Sequence, residues 1–199
     1  MALRAYYNSE ITAFVREDQL AVLGALTESS HLEVSTQQRD AWSEQVHLLQ
    51  DALLAIERGH ILFEFSIPRM GKRADVVLYI DGLIYVLEFK IGATDHSKAA
   101  RDQVLDYAID LKNFHEGSHR LPIIPIALSS RAGPGHIQFS WYNDKVSRPL
   151  SIDHSQLSTV LDQTQHLLQS DYLRQSEYRE FARWINSPYK PTPTIVEAS

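Results

Sequence analysis

Two acidic residues and one lysine stand on either side of Asp81-Gly82, a dipeptide typical of the two-residue turn of a β-hairpin. If Ile80 pairs with Leu83 across that turn, Asp75 lies opposite Glu88, and Lys90 follows two residues later on the same face. Opposed residues have Cβ atoms about 4.5–5.5 Å apart. Two carboxylates at that separation repel each other unless a cation, a basic side chain or a raised pKa compensates.

These residue types have the chemistry of a metal-dependent phosphodiesterase. Carboxylate oxygens are ligands that Mg²⁺ prefers, and the ion often takes only one or two of them. A bound metal lowers the pKa of its water ligand and neutralises charge on the phosphate, while Lys90 could orient or help deprotonate that water. The alternative is a salt-bridge cluster without catalysis, in which Lys90 and Arg73, predicted to lie opposite Lys90, neutralise the two acids.

The elements that must position this hairpin follow an α/β pattern. Apolar periodicity predicts short helices within residues 8–30 and a long helix over 36–58, capped by Ser35 and ended by Gly59. Apolar stretches bounded by turn residues predict strands, and further periodic segments predict helices. The predicted strands are 61–67, 72–80, 83–90, 122–128 and 136–142, and the remaining helices are 97–115, 153–168 and 171–185.

The order helix, three strands, helix, strand predicts a mixed central sheet covered by helices on both faces. We therefore expect an N-terminal helical extension over residues 1–35, an α/β core over 36–150 and C-terminal helices packed on the core over 151–186. Residues 187–199 are rich in proline and are predicted to be a linker, which would let the natural protein continue past Ser199.

Composition excludes several classes of protein. The 199-residue chain has no cysteine, which excludes disulfides, thiolate catalysis and cysteine-ligated metal sites. The longest strongly apolar runs have five residues, far fewer than the about 20 of a membrane helix, so we expect a cytoplasmic protein without a membrane partner. The net charge of −6 argues only weakly against nucleic-acid binding, because several central acids are candidate metal ligands.

The arrangement Asp75…Glu88-Phe89-Lys90 on a hairpin resembles the PD-(D/E)XK nuclease superfamily, with Ala74 where that pattern usually has proline. Gln103 and Tyr107, four residues apart on the next helix, resemble the Gln-x-x-x-Tyr motif of its RecB-like branch. The resemblance implies a restriction-endonuclease-like α/β fold and Mg²⁺, with Mn²⁺ able to substitute.

The same resemblance implies roles for individual residues. Asp75, Glu88 and the main-chain carbonyl of Phe89 would hold the metal, and Gln103 with Tyr107 would place the substrate and the catalytic lysine. The superfamily often adds a glutamate from the first core helix, for which Glu44 is the candidate and Glu64, on the first strand of the core, the runner-up. Apart from the resemblance, six basic residues could flank the site and contact phosphates, or simply form a solvated surface: Arg69, Lys72, Arg73, Lys98, Arg101 and Lys112.

Two longer blocks, residues 63–75 and 102–115, are similar to the N-terminal part of a bacterial family. Its members join such a domain to a superfamily 1 helicase module related to the Schlafen helicases, and residues 187–199 are similar to the junction. The resemblance implies a DNA nuclease coupled to a helicase, in DNA processing or in defence against foreign DNA. A nuclease-fold module that only binds nucleic acid or a protein, and an RNA-directed nuclease, are the alternatives. The sequence has no Gly-rich P-loop, so no ATP site is expected within it.

One competing motif is present. His115-Glu-Gly-Ser-His119 matches H-E-x-x-H, which binds zinc when both histidines lie on one side of a stable helix. Gly117 lies between them and Pro122 follows, so the pattern indicates the end of a helix instead.

Overall fold

A six-stranded mixed sheet forms the centre of the protein in a computed structural model, which describes residues 4–30, 34–167 and 180–192. The strands lie in chain order from β1 to β6. Strands β1 to β4 are antiparallel, and β4, β5 and β6 are parallel. The bounds are β1 Tyr7–Glu10, β2 His60–Ile67, β3 Lys72–Ile80, β4 Leu83–Lys90, β5 Ile123–Ser129 and β6 Leu150–Asp153.

Helices cover both faces of this sheet, as predicted. Within the described residues they are α1 Ile11–Phe14, α2 Gln19–Ser29, α3 Thr36–Ala52, α4 Lys98–Phe114, α5 Leu157–Leu167 and α6 Phe181–Ile185. Side chains of α1, α2, α3 and α5 share one core with one face of the sheet, and α4 and α6 share a second core with the other face. The predicted order of helix, three strands, helix and strand is confirmed as α3, β2–β4, α4 and β5.

The two helices beside the central hairpin begin where their caps predict. The Ser35 hydroxyl accepts a hydrogen bond from the Gln38 N–H at the start of α3, and Ser97 does the same for Ala100 at the start of α4. Each cap satisfies one of the free N–H groups of a first turn. Helix α3 ends earlier than predicted, at Ala52 instead of residue 58, and the chain turns into β2 at Gly59, whose φ is 136°.

The prediction of a strand over residues 136–142 is wrong. That segment is irregular apart from an isolated bridge between Trp141 and Ser147, and the sixth strand forms at Leu150–Asp153. The Gln156 side chain bonds both the N–H and the carbonyl of Gly135, which ties the loop to the end of β6. The alternation of apolar and polar residues in 136–142 is a local pattern and does not decide which segment joins the sheet. The edge of β5 is occupied by β6, which runs parallel to it. Strand β1 was likewise predicted as part of a helical region.

Residues 187–192 pack against the end of α4 and do not stand apart as the linker assignment predicts. The Tyr189 hydroxyl donates to Asp110, and the Lys190 N–H donates to the Phe114 carbonyl. Just before them, Trp184 is fully buried in the core on the α4 side of the sheet. Part of the predicted helix 171–185 and the end of the predicted linker, residues 193–199, lie outside the described residues.

None of the helices within residues 4–30, 34–167 and 180–192 has the length and apolar character needed to cross a bilayer.

Candidate active site

The predicted hairpin register is confirmed up to the acidic residues, where the two strands separate. Pairing runs from Ile80 with Leu83 to Val76 with Leu87 and ends there. Further along, β3 stays paired only with β2, and β4 pairs with β5, where Glu88 lies beside Ala127. The predicted pairs Asp75–Glu88 and Arg73–Lys90 are therefore not part of the ladder. Instead, the Asp75 carboxylate lies in the fork and accepts a hydrogen bond of 2.7 Å from the Phe89 N–H.

Strands β2 and β3 both change their side-chain alternation at this fork. Phe63 and Phe65, two residues apart, pack into opposite cores, and so do Val76 and Ala74. Between the first two, Glu64 has a φ of 53°, in the left-handed region that is uncommon for residues other than glycine.

Arg73 stabilises this bend and does not face Lys90. Its guanidinium donates to the Glu64 carbonyl at 2.5 Å and lies 4.1 Å from the centre of the Tyr6 ring. Such a contact with an aromatic face is a cation–π interaction. We therefore assign Arg73 to the shape of the fork and not to the balance of charge opposite Lys90.

A cleft of about 540 Å³ opens at the fork, between the sheet and the N-terminal half of α3. Asp75, Glu88, Phe89 and Lys90 line it from the sheet, and residues 91–93 line it from the loop that follows β4. The Lys90 carbonyl accepts from the Ser130 N–H on the β5 side. Because consecutive carbonyls of a strand point to opposite edges, the Phe89 carbonyl points toward the fork.

Lys90 is held by a chain of side-chain hydrogen bonds on the α4 face. Its Nζ donates to Glu88 Oε1 at 2.8 Å and to Gln103 Oε1 at 3.1 Å, and Gln103 Nε2 donates to the Tyr107 hydroxyl at 2.9 Å. The spacing of Gln103 and Tyr107 predicted a shared helix face, and the family resemblance implied a role beside the lysine; in the structure Gln103 contacts both Lys90 and Tyr107. Tyr107 is buried, so the chain is anchored in the core.

Burial raises the pKa of both acids in the cleft. The pKa of Asp75 lies well above its usual range because of burial and then the neighbouring Glu88, with the Phe89 N–H acting in the opposite direction. Burial also raises the pKa of Glu88, and the Lys90 ammonium opposes that rise. Ionising both carboxylates together therefore requires more positive charge than Lys90 supplies.

The oxygen atoms of the cleft suit a hard divalent cation. Glu88 is 4% exposed, and its Oε2 has no hydrogen-bond partner within the described residues. A buried carboxylate oxygen without a partner costs free energy that a cation would recover. Asp75 and Glu88 can supply carboxylate oxygens and Phe89 a carbonyl, a set that Mg²⁺ accepts when water fills its other positions.

Neither candidate for a third carboxylate lines the cleft. Glu44 is half-buried outside the cleft lining. Glu64 Oε1 accepts from Trp42 Nε1 at 2.9 Å and from Gln38 Nε2 at 3.4 Å, although its charge still raises the pKa of Asp75. Consistently, no group of three His, Cys, Asp or Glu side chains in the described part of the chain is arranged to hold a metal.

The wall of the cleft that α3 supplies is instead made of Gln37, Gln38, Ala41 and Gln45. Gln45 was not among the predicted site residues, because a carboxylate was expected from this helix. Its spacing, three residues after Trp42 and four before Leu49 on the apolar stripe, was a signal that it points inward.

The basic residues predicted to contact phosphates divide into two groups. Lys72 and Arg101 are exposed, and Lys98 is exposed while paired with Asp102 at 2.5 Å. Lys112 is wrongly assigned, because it is 4% exposed, donates to the Leu121 carbonyl at 2.8 Å, and has its pKa lowered by burial to about 8. Arg69 lies 3.7 Å from the centre of the Phe114 ring, toward the far end of α4.

The H-E-x-x-H match is not a zinc site. α4 ends at Phe114, so His115 and His119 do not share a helix face. His115 is fully buried, bonds the Ser118 hydroxyl at 2.7 Å, and has its pKa lowered by burial to about 3. The ring of His119 contacts the Lys190 carbonyl at 3.1 Å. His115 is therefore a core histidine, and His119 contacts the C-terminal segment.

The chain matches no protein-family model, and comparison with curated proteins and with solved structures gave no match.

Proposed function

We propose that this chain is a Mg²⁺-dependent nuclease domain of the PD-(D/E)XK type, with Mn²⁺ able to replace Mg²⁺, which hydrolyses phosphodiester bonds of DNA. The observation that carries the proposal is the cleft itself, in which Asp75, Glu88 and Lys90 meet where β3 and β4 separate. Two acids with raised pKa, and an oxygen of the buried Glu88 that has no partner among the described residues, favour a bound cation over a closed salt bridge.

In this proposal Asp75, Glu88 Oε2 and the Phe89 carbonyl hold the cation. The cation, when bound, would supply positive charge to the phosphate and lower the pKa of a water molecule. Lys90 Nζ keeps its direction through Glu88 Oε1 and Gln103, and it donates a hydrogen bond to the attacking water or to a phosphate oxygen. Gln103 and Tyr107 are positioning residues, because they contact Lys90 or one another.

The restriction-endonuclease-like identity of the fold belongs to the same proposal. It is supported by the order α3, β2–β4, α4, β5 and by the placement of the acidic residues where the hairpin opens. Exposed Lys72 and Arg101 would contact the backbone phosphates of a strand entering the cleft. We further propose, from the two similar sequence blocks, that the domain works with a superfamily 1 helicase module in the same polypeptide or a partner.

The test is cleavage by the purified 199-residue chain. Labelled single- and double-stranded DNA and RNA are incubated with Mg²⁺, with Mn²⁺ and with EDTA. We expect DNA cleavage with either metal, none with EDTA, and none by Glu88→Gln, which keeps the shape of the side chain but removes its charge. Binding without cleavage under every metal condition would favour the binding module, and preferential cleavage of RNA would replace DNA as the substrate.

A further inference from the structure

A buried amide faces the cleft from α3, and neither of the predicted third carboxylates is there. Gln45 is 3% exposed, lines the same cleft as Asp75 and Glu88, and its Oε1 has no hydrogen-bond partner within the described residues. A buried amide oxygen left without a donor destabilises the folded protein. This oxygen can therefore accept a donor group or bind a cation that enters the cleft.

The surroundings of Gln45 leave space for such a group. Ala41, one helical turn before Gln45, lines the same cleft with only a methyl group. Gln38, nearer the start of α3, lines it as well, but its amide Nε2 points to Glu64 Oε1 at 3.4 Å. Of these α3 residues, Gln45 is the one whose buried oxygen is unpartnered.

The side chains that line the cleft indicate what kind of ligand Gln45 would meet. Asp75 and Glu88 lie on the sheet side, and among the described lining residues Lys90 is the only basic one. A group that faces Gln45 must also be compatible with the two acids. A hydrated cation meets both conditions, because its charge is attracted to the carboxylates and its water ligands can donate to the amide oxygen. Amide oxygens are regular ligands of hard divalent cations.

We infer that Gln45 supplies a neutral oxygen to the divalent-cation site, directly or through a water molecule on the cation, in the place where Glu44 was predicted to act. This inference rests on the proposed function, because it concerns the cation that Asp75 and Glu88 would hold. It makes the site one of two carboxylates and one amide. It also makes Glu44 dispensable for the cation.

The experiment measures Mn²⁺ binding by the full chain in the absence of nucleic acid, from the electron paramagnetic resonance signal of free Mn²⁺. The variants are Gln45→Leu, Gln45→Glu and the matched control Glu44→Gln. We expect Gln45→Leu to weaken binding by roughly tenfold or more, as loss of an oriented oxygen near a metal usually does. Gln45→Glu binds at least as tightly as wild type because it keeps an oxygen and adds a charge, and Glu44→Gln leaves the affinity unchanged.

Circular dichroism in EDTA establishes that each variant is folded. If Gln45→Leu does not fold, Gln45→Glu decides, and an affinity well below wild type in that folded variant would overturn the inference. Wild-type affinity in folded Gln45→Leu, or lost binding in Glu44→Gln, would overturn it as well. If wild type binds Mn²⁺ but Gln45 has no effect, only this inference fails; if wild type binds no Mn²⁺, the metal dependence of the proposed function fails with it.

Discussion

Asp75→Asn is expected to stabilise the metal-free protein while removing its response to metal. Burial and Glu88 hold the pKa of the Asp75 carboxyl well above its usual range, so ionising it costs native stability. Asparagine keeps an oxygen that can accept from the Phe89 N–H, which Asp75 bonds at 2.7 Å, and it carries no charge. The substitution therefore removes the repulsion without opening the fork.

The sign and size of the effect follow from proton linkage. As pH rises from the pKa of an unfolded aspartate through the raised value of the folded state, the native protein loses stability, and above both values the loss is constant. The asparagine variant has no such loss, so the two proteins converge in acid. Each pKa unit corresponds to about 1.4 kcal/mol. For a chain of this size, about 1 kcal/mol changes Tm by about 2–4 °C.

Metal reverses the order of stability. A cation at one hundred times its Kd stabilises the native state by about 2.7 kcal/mol, and the wild-type protein gains this while the asparagine variant binds too weakly to do so. Thermal melts at about pH 8, in EDTA and in millimolar Mg²⁺ or Mn²⁺, measure both effects.

The control is Asp162→Asn on the exposed side of α5, which should match wild type in both conditions. A lower Tm for Asp75→Asn than for wild type in EDTA would refute the assignment of Asp75 as a strained, charge-repelled acid. An equal metal shift in the two proteins would refute its role as a ligand.

Three further outcomes are expected. Lys90→Ala should abolish cleavage and keep most of the DNA affinity measured by fluorescence anisotropy. Lys98→Ala with Arg101→Ala should instead weaken DNA binding and lower the slope of its salt dependence by about 0.9 for each phosphate that the variant no longer neutralises. Equal effects on cleavage and binding in both proteins would contradict this division. Gln103→Ala removes a hydrogen bond to the charged Lys90 Nζ, and such a bond is worth about 1.5–3 kcal/mol. We therefore expect kcat to fall roughly 10- to 100-fold with KM little changed. A change in KM alone would contradict this prediction. Trp184→Ala should lower the free energy of unfolding in urea by about 3–5 kcal/mol, because Trp184 is fully buried against Phe65 and Tyr79; a decrease below about 1 kcal/mol would show that the C-terminal segment is not part of the folded core.

Local features of the sequence predicted the central elements well. The Asp81-Gly82 turn set the register of the hairpin because both residues adopt positive φ, 49° and 84°, which a two-residue turn requires. The spacing of Gln103 and Tyr107 likewise predicted that they share one helix face, because helical periodicity is a property of the local backbone.

Features that depend on distant parts of the chain could not be predicted in this way. The ladder between β3 and β4 stops at Val76 because beyond this point β3 continues alongside β2 while β4 continues alongside β5, and this separation has no signal within the hairpin itself. Packing on the sheet sets the rotation of α3, and this brings Gln45 into the cleft and leaves Glu44 outside it. The sequence by itself thus determined which chemical groups were available and how near neighbours were spaced, while the tertiary structure decided which of them meet, because contacts across the sheet are set by the packing of whole elements.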